Sequence, residues 1–528
     1  MILRRNSLSA GWLWIFLCAC APAVMAQQTI EFSARVAEVL EVSGGGWNRR
    51  TRLLLRVEEG VDHPFVIWED GAAVRCVEDA HEVLFDDFLG SELAGPEIRL
   101  RVRGCDIVER PGQVPVVGRV EAVNPSPHEQ DEWIEVQKLD PPAPAAGRTH
   151  RYVQVPVSYA RPEYGTFRLY YEVNEDFDLA LPTLMFPADG QVTASTVGRA
   201  DAIKKNYRLA GNVVTYQYRG TFCSAIPQFD SQREIDWEMA WNAFNIDNAV
   251  EDIDRIRADL LGPEGKMNLY AGSGMAVLSL AYLSKYHRRV DRAFLMSFFT
   301  EARASCDAAI AFFQNFLREN RLEDALSQAL KRQDIEPTQL FFVLQRLLYS
   351  NQAAARELLL ELAEGERSAY DEESARAGSF DYFVRSMQRN WPHAVVFMYE
   401  TNVPTSRPGE HDVNEAFLKI GNPIDGLVAE GRVQARKLDI RGLDQVSTEV
   451  LVVSGTLDQV TPVSEQEKVH RLLPNARHAI FRAYHCLEDQ RECRRELLQV
   501  FLRDGLRSPG FERVLRHPKW RDLLAEVR

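Results

Sequence analysis

The chain has no basic run that could track phosphates, and its formal net charge is −14. That balance argues against a nucleic-acid partner. After about residue 26 no stretch is long and apolar enough to cross a membrane. The 11 histidines are scattered and no cysteine spacing suits zinc, so neither a metal nor a cofactor is expected. Cysteine is scarce, with 8 in 528 residues, and two of these fall in the first 20. Hydrophobic content of 45% and charged content of 26% are ordinary globular values. The length permits a sizeable core and two or three domains.

Residues 1–26 read as a secretory signal peptide. Arg4 and Arg5 precede the apolar run Trp12 to Leu17, and Val24-Met25-Ala26 offers small residues for cleavage before Gln27. The expected location is secreted or periplasmic. An uncleaved anchor and a lipoprotein signal around Leu17-Cys18-Ala19-Cys20 are the alternatives. Cleavage leaves Cys76, Cys105, Cys223, Cys306, Cys486 and Cys493. An even set in an exported chain suggests disulfides. Proximity favours Cys76–Cys105 and Cys486–Cys493, which leaves Cys223–Cys306.

Residues 28–140 read as a small β-rich domain, with β-prone runs at Thr51–Val57 and Ile98–Arg103. Nothing in it looks catalytic. The Pro/Ala-rich stretch Pro141 to Gly147 reads as a linker. From about 150 the pattern becomes α/β. Strands are expected at Phe167–Val173, Thr183–Phe186, Asn212–Tyr218, Met267–Ala271 and Arg292–Met296. Asp247–Leu261 reads as an amphipathic helix, with Val250, Ile253, Ile256 and Leu260 on one face. Such alternation predicts a parallel sheet covered on both faces. A helical block, including Ala308–Asn320 and Leu340–Leu362, interrupts it before the pattern resumes at Glu449. The expected division is a core of 150–298, a helical cap of 299–405 and a second core part of 406–528.

Leu451 to Pro462 is an apolar strand running into a turn that presents Asp458, and His485 follows 27 residues later, after a β-like run His478–Tyr484. An acid and a histidine on successive post-strand loops are the last two members of a Ser…Asp…His order. The upstream nucleophile is expected at Ser273, in Asn268-Leu-Tyr-Ala-Gly-Ser-Gly-Met-Ala276. There a strand ends, a serine sits between small residues and a helix begins. Glycine is usual two before and two after such a serine, whereas this chain has Ala271 and Met275 there and glycine at 272 and 274. Ser273 would attack a carbonyl, His485 would act as base and then acid, and Asp458 would orient it. His478 is a rival base.

Four blocks in order resemble the prolyl iminopeptidase and tripeptidyl aminopeptidase family of α/β-hydrolases, over roughly residues 150–510. They are the Ser273 elbow with its helix, Arg219-Gly-Thr with Ser224, Gly455-Thr-Leu-Asp-Gln-Val-Thr-Pro462, and His485 with Cys493 and Phe501-Leu-Arg-Asp-Gly505. Gln217 and Phe222 depart from the family's D-Q-R-G-T-G-x-S block. The resemblance implies an α/β-hydrolase fold with a helical cap insertion and a Ser-His-Asp acyl-enzyme mechanism. It also implies an oxyanion hole built from the Gly274 N–H and a loop after an early strand. The family has H-G-G-P-G in that loop. This chain has Leu184-Met-Phe-Pro-Ala-Asp-Gly-Gln191, where Pro187 has no N–H and Ala188, Asp189 and Gly190 remain as donors. By the same resemblance Glu400 is a candidate anchor for a substrate ammonium. The expected activity is that of an exported serine hydrolase, aminopeptidase-like, acting on short peptides. An esterase with the same triad, and a hydrolase fold that has lost catalysis and binds a partner, are the alternatives. The sequence sets no oligomeric state.

Overall fold

Nine strands and the helices between them account for the α/β alternation after residue 150. The described residues of the computed structural model are 146–191, 198–229, 235–300, 302–377, 391–402, 422–434 and 438–528, with 380, 384, 388 and the strands between 31 and 138. The proposed signal peptide, Cys76 and Cys105 lie outside them.

In the N-terminal part, strands pair in the order 107–108, 116–117, 65–69, 50–59, 31–43, 98–103 and 133–138. Both β-prone runs named above lie on strands of this sheet.

The second sheet contains β1 (His150–Pro156), β2 (Thr166–Val173), β3 (Thr183–Phe186), β4 (Asn212–Tyr216), β5 (Met267–Gly272), β6 (Val290–Met296), β7 (Glu449–Gly455), β8 (Ala476–Phe481) and β9 (Leu524–Val527). Their order is β1-β2-β4-β3-β5-β6-β7-β8-β9. Strands β3 to β8 run parallel, and the antiparallel pairs lie towards the two edges. Between them run α1 (Arg199–Tyr207), α2 (Trp237–Phe244), α3 (Ile246–Leu261) and α4 (Gly274–Tyr286). Among the described residues β6 is followed by α5 (Ala302–Glu319), α6 (Glu323–Ala329), α7 (Pro337–Ser350), α8 (Gln352–Glu364), α9 (Ser368–Ala377) and α10 (Pro392–Asn402). Then come α11 (Asn422–Ala429), α12 (Val463–Leu472), α13 (Arg491–Asp504) and α14 (Pro509–Leu515). This is an α/β-hydrolase fold with a helical insertion between β6 and β7.

The central strands are buried along their whole length, as parallel strands covered on both faces must be. Within β5, Leu269 and Ala271 enter one core with α3, α4 and the helical insertion. Tyr270 enters the other, with Phe294, Leu451 and Phe501 of α13. The expected strand ends shift by up to three residues. Asn212–Tyr218 stops at Tyr216, and His478–Tyr484 is replaced by Ala476–Phe481, which puts His478 inside the strand. The expected continuous helix Leu340–Leu362 is two helices. Asn351 divides them, its side chain accepting from Ala354 N at 3.1 Å, because a short amide side chain caps a new helix better than it continues an old one.

After β3 the chain crosses to β4 on one side, and β5 adds on the other. The loops leaving β3 and β5 therefore emerge side by side, at the kind of switch point where open α/β sheets bind ligands. A buried ion pair secures the loop beyond β4. Arg219 meets Asp252 of α3 through Nε and Nη2, both at 2.7 Å, and donates to Val157 O and Ala243 O. Both side chains are wholly buried. Arg219→Ala leaves the carboxylate uncompensated and is expected to cost about 3–5 kcal/mol, read as a fall in the denaturation midpoint.

Candidate active site

Ser273 follows the last residue of β5 and precedes the first of α4. Its backbone is left-handed, with φ 55° and ψ −131°. A non-glycine residue rarely holds that conformation, and it lifts the side chain off the end of the strand. Ser273 N donates to Met296 O at 3.0 Å, which ties the turn to β6. The unusual glycine positions have a steric cause. A Cβ on Gly272 would meet Cys486 Sγ at 2.8 Å, and one on Gly274 would fall on Asp189 Oδ1 with Gln191 Nε2 at 2.7 Å. Ala271, by contrast, is buried with room for its methyl.

Asp458 lies just beyond β7, fully buried. Its Oδ1 accepts from Val460 N at 3.0 Å and Thr461 N at 2.9 Å. Its Oδ2 accepts from Thr461 Oγ1 at 2.6 Å and pairs with His485 Nδ1 at 2.9 Å. Burial would raise this carboxyl, but His485 and the Thr461 donors outweigh it and hold the pKa below the usual value. Burial likewise disfavours the imidazolium of His485, yet Asp458 and the adjacent Cys486 thiol raise its pKa well above the ordinary value.

His485 opens a tight turn after β8 in which Cys486 and Leu487 have φ of 51° and 52°. Cys486 N donates to Ser297 Oγ at 2.8 Å, and Arg494 Nη1 donates to Cys486 O at 2.8 Å. The helical insertion reaches the same place. The Tyr349 ring of α7 stands edge-on to His485 at 5.1 Å, and Gln352 N at the start of α8 donates to Tyr484 Oη at 3.4 Å.

The loop after β3 brings Ala188, Asp189 and Gly190 beside the elbow. A Cβ on Gly190 would strike the Phe397 ring, so α10 presses directly on the loop. Gln191 N donates to Asp189 Oδ1 at 2.9 Å. Burial pushes the Asp189 carboxyl up to about 6, with the Gln191 N–H and His485 acting against it. The direction of this side chain is set by its packing against Gly274, far along the chain.

Glu400 is buried near the end of α10. Its Oε2 accepts from Ile246 N at 2.6 Å, at the N-terminus of α3. It borders a cavity of about 1250 Å³ shared with Asp247, Glu251, Lys285, Asp439 and Arg441. None of Ser273, Asp458 and His485 lines that cavity.

His478, the rival base, lies within β8 with Nε2 2.6 Å from Ser454 Oγ. Burial, His470 and Arg528 lower its pKa to about 4. A histidine held neutral in the fold stabilises fully above its unfolded pKa of about 6.5, and loses that contribution as pH falls towards its folded pKa. His478→Gln is expected to flatten the fall in stability between about pH 7 and 4, by up to about 3 kcal/mol, measured by denaturant titration at several pH values.

The expected Cys486–Cys493 disulfide is not formed, and both are free thiols. The left-handed turn aims Cys486 at Gly272, while Cys493 is buried on α13 beside Leu497. The side chain of Cys306, the expected partner of Cys223, lies outside the described residues.

Residues 431–510 match the family described as TAP-like protein. No curated protein matches the chain. Among solved structures, it is similar to a non-heme bromoperoxidase, BpoC, from Mycobacterium tuberculosis H37Rv, with 16% identity, 64% of this chain and 96% of that one covered, and a TM-score of 0.34. A serine hydrolase from Cycloclasticus zankles shares 13% identity over 68% of this chain and 100% of that one, with a TM-score of 0.36. A thermophilic esterase from Thermogutta terrifontis shares 16% identity over 67% and 99%, with a TM-score of 0.32.

Proposed function

We infer, from a chain that is an α/β-hydrolase with a TAP-like segment at residues 431–510, that it is a serine hydrolase using Ser273, His485 and Asp458. The observation that carries this reading is the His485 Nδ1–Asp458 Oδ2 contact of 2.9 Å, with a serine on a strained elbow at the end of β5. Ser273 Oγ attacks an acyl carbonyl and its proton passes to His485 Nε2. Asp458 fixes the tautomer and stabilises the imidazolium. The tetrahedral intermediate collapses as His485 gives that proton to the leaving group. Water, deprotonated by the same imidazole, then releases the acyl group from Ser273. The Gly274 N–H, first in α4, supplies one oxyanion donor.

Short peptides are the proposed substrates, since the insertion stands over His485 through Tyr349 and would restrict entry to small chains. An ester substrate is the second reading. It is favoured by the engagement of Glu400 with Ile246 N, which occupies the carboxylate proposed to hold a peptide's amino terminus. Comparing aminoacyl-p-nitroanilides with short p-nitrophenyl esters separates the two, and turnover of esters alone would reject the peptidase reading. Export is proposed from the leader-like residues 1–26, and N-terminal sequencing of the mature protein tests it, with Gln27 expected first.

A further inference from the structure

In the triad reading the Gly274 N–H is the first oxyanion donor, and Pro187, at the head of the loop after β3, has no N–H to add to it. A carboxyl from the same loop lies beside Gly274. The Asp189 side chain rests against Gly274 in the first turn of α4, next to the nucleophile, with Gln191 Nε2 beside it. Gln191 N donates to Oδ1 at 2.9 Å, and no other hydrogen bond to this carboxyl is formed among the described residues. An ionised carboxylate there would oppose a developing oxyanion. A neutral carboxylic acid would instead present an O–H to it.

We propose that the protonated Asp189 carboxyl donates the second hydrogen bond of the oxyanion hole. The proposal rests on the Ser273–His485–Asp458 reading and adds a catalytic residue to it. A carboxylic acid kept neutral in an enclosed site can fill this role.

The titratable groups around Asp189 decide its proton. His485 faces it from the turn after β8, and Tyr216 faces it from the end of β4. Asp458 and Cys486 act on it through His485, and α10, which also carries His393 and Glu400, sets the uncharged Phe397 ring against Gly190 of the loop. His485 is the cationic neighbour. At intermediate pH the pair Asp189/His485 shares one proton, and Asp458 favours its place on the imidazole. Catalysis uses the other tautomer, with the same total charge. The proton sits on Asp189, and neutral His485 is free to accept the Ser273 hydroxyl proton. As the Oγ–C bond forms, the carbonyl π electrons move to oxygen, which accepts from the Asp189 O–H. As the intermediate collapses, that electron pair re-forms the carbonyl and the bond to the leaving group breaks. The leaving group takes the proton held by His485, and the Asp189 proton stays in place.

This mechanism has a distinctive pH signature. Full protonation of the pair removes the base and full deprotonation removes the donor, so kcat/KM rises through an acid limb and falls again at high pH. A triad with only backbone donors rises through the His485 titration and stays level. The full chain is assayed with p-nitrophenyl acetate from pH 4 to 10, as wild type, Asp189→Asn and Asp189→Ala, alongside fluorophosphonate labelling and thermal midpoints. Wild type is expected to give a bell. Asp189→Asn, whose amide donates at every pH, is expected to turn over without the alkaline limb. Asp189→Ala is expected to fall on the order of 10²-fold or more below Asp189→Asn. A level wild-type profile at high pH, an Asp189→Asn profile that keeps its alkaline limb, or an Asp189→Ala enzyme as fast as Asp189→Asn would overturn the proposal. Those results with Ser273-dependent labelling intact leave the triad reading standing. Absence of that labelling in wild type would overturn both. If Asp189→Ala does not fold, the Asp189→Asn profile alone decides.

Discussion

Ser273→Ala is expected to lower kcat on the order of 10⁶-fold, the scale seen when a triad nucleophile is removed, and to abolish fluorophosphonate labelling. The fold should tolerate the change well. Ser273 is already left-handed at φ 55°, its side chain makes no capping bond to α4, and its N–H bond to Met296 O involves only backbone. Alanine at the same φ meets similar strain, so the stability change is expected to stay within about 0.5 kcal/mol. A large activity loss with an unmoved denaturation midpoint therefore isolates the hydroxyl. Turnover that persists in Ser273→Ala would remove this serine from the chemistry. A wild-type protein that neither labels nor turns over would favour the third reading, a hydrolase fold that has lost catalysis and binds a partner.

The parts of this site that were legible in the sequence are those encoded locally. The buried run of β5 followed by Gly-Ser-Gly announces an elbow, because only small residues fit where strand, turn and helix meet. Asp458 followed by Thr461 is also local: the carboxylate accepts from the N–H groups of Val460 and Thr461 and from the Thr461 hydroxyl. What was not legible depends on partners distant in the chain. For Glu400, the candidate substrate anchor, the bond that Oε2 accepts from Ile246 N spans 154 residues and has no local signal. Cys486 and Cys493 are close in sequence, but a left-handed turn and the start of α13 send their side chains to different neighbours. The Asp189 side chain is the clearest case. In an irregular loop no periodicity fixes direction, and Gly274, Gln191 and His485 together set its place. The sequence therefore offers both backbone N–H groups and an inward carboxylate at Asp189 without choosing between them.

Asp458→Asn is expected to reduce kcat on the order of 10⁴-fold with the backbone undisturbed. The replacement can keep an acceptor for Val460 N and Thr461 N at the position of Oδ1, so the turn survives. The change falls on the other side. An amide nitrogen in place of Oδ2 donates to His485 Nδ1 where the carboxylate accepted from it, which forces the imidazole proton onto Nε2. The nitrogen meant to receive the Ser273 proton then already carries one. The pH behaviour should change in the same variant. His485 is raised well above its ordinary value, with Asp458 the first of the groups that overcome its burial, so Asp458→Asn moves the acid limb of kcat/KM to lower pH. Stability follows with a definite sign. The raised histidine contributes fully below its unfolded pKa and loses that contribution as pH rises through its folded value. The depressed Asp458 contributes above its unfolded pKa and loses that as pH falls. The pair therefore stabilises most between the two unfolded values, about pH 4 to 6.5, and the variant should lose most stability in that window and progressively less above it. Denaturation midpoints and kcat/KM from pH 4 to 9 read both effects. An acid limb that stays in place, together with kcat within tenfold of wild type, would show that Asp458 does not orient the base.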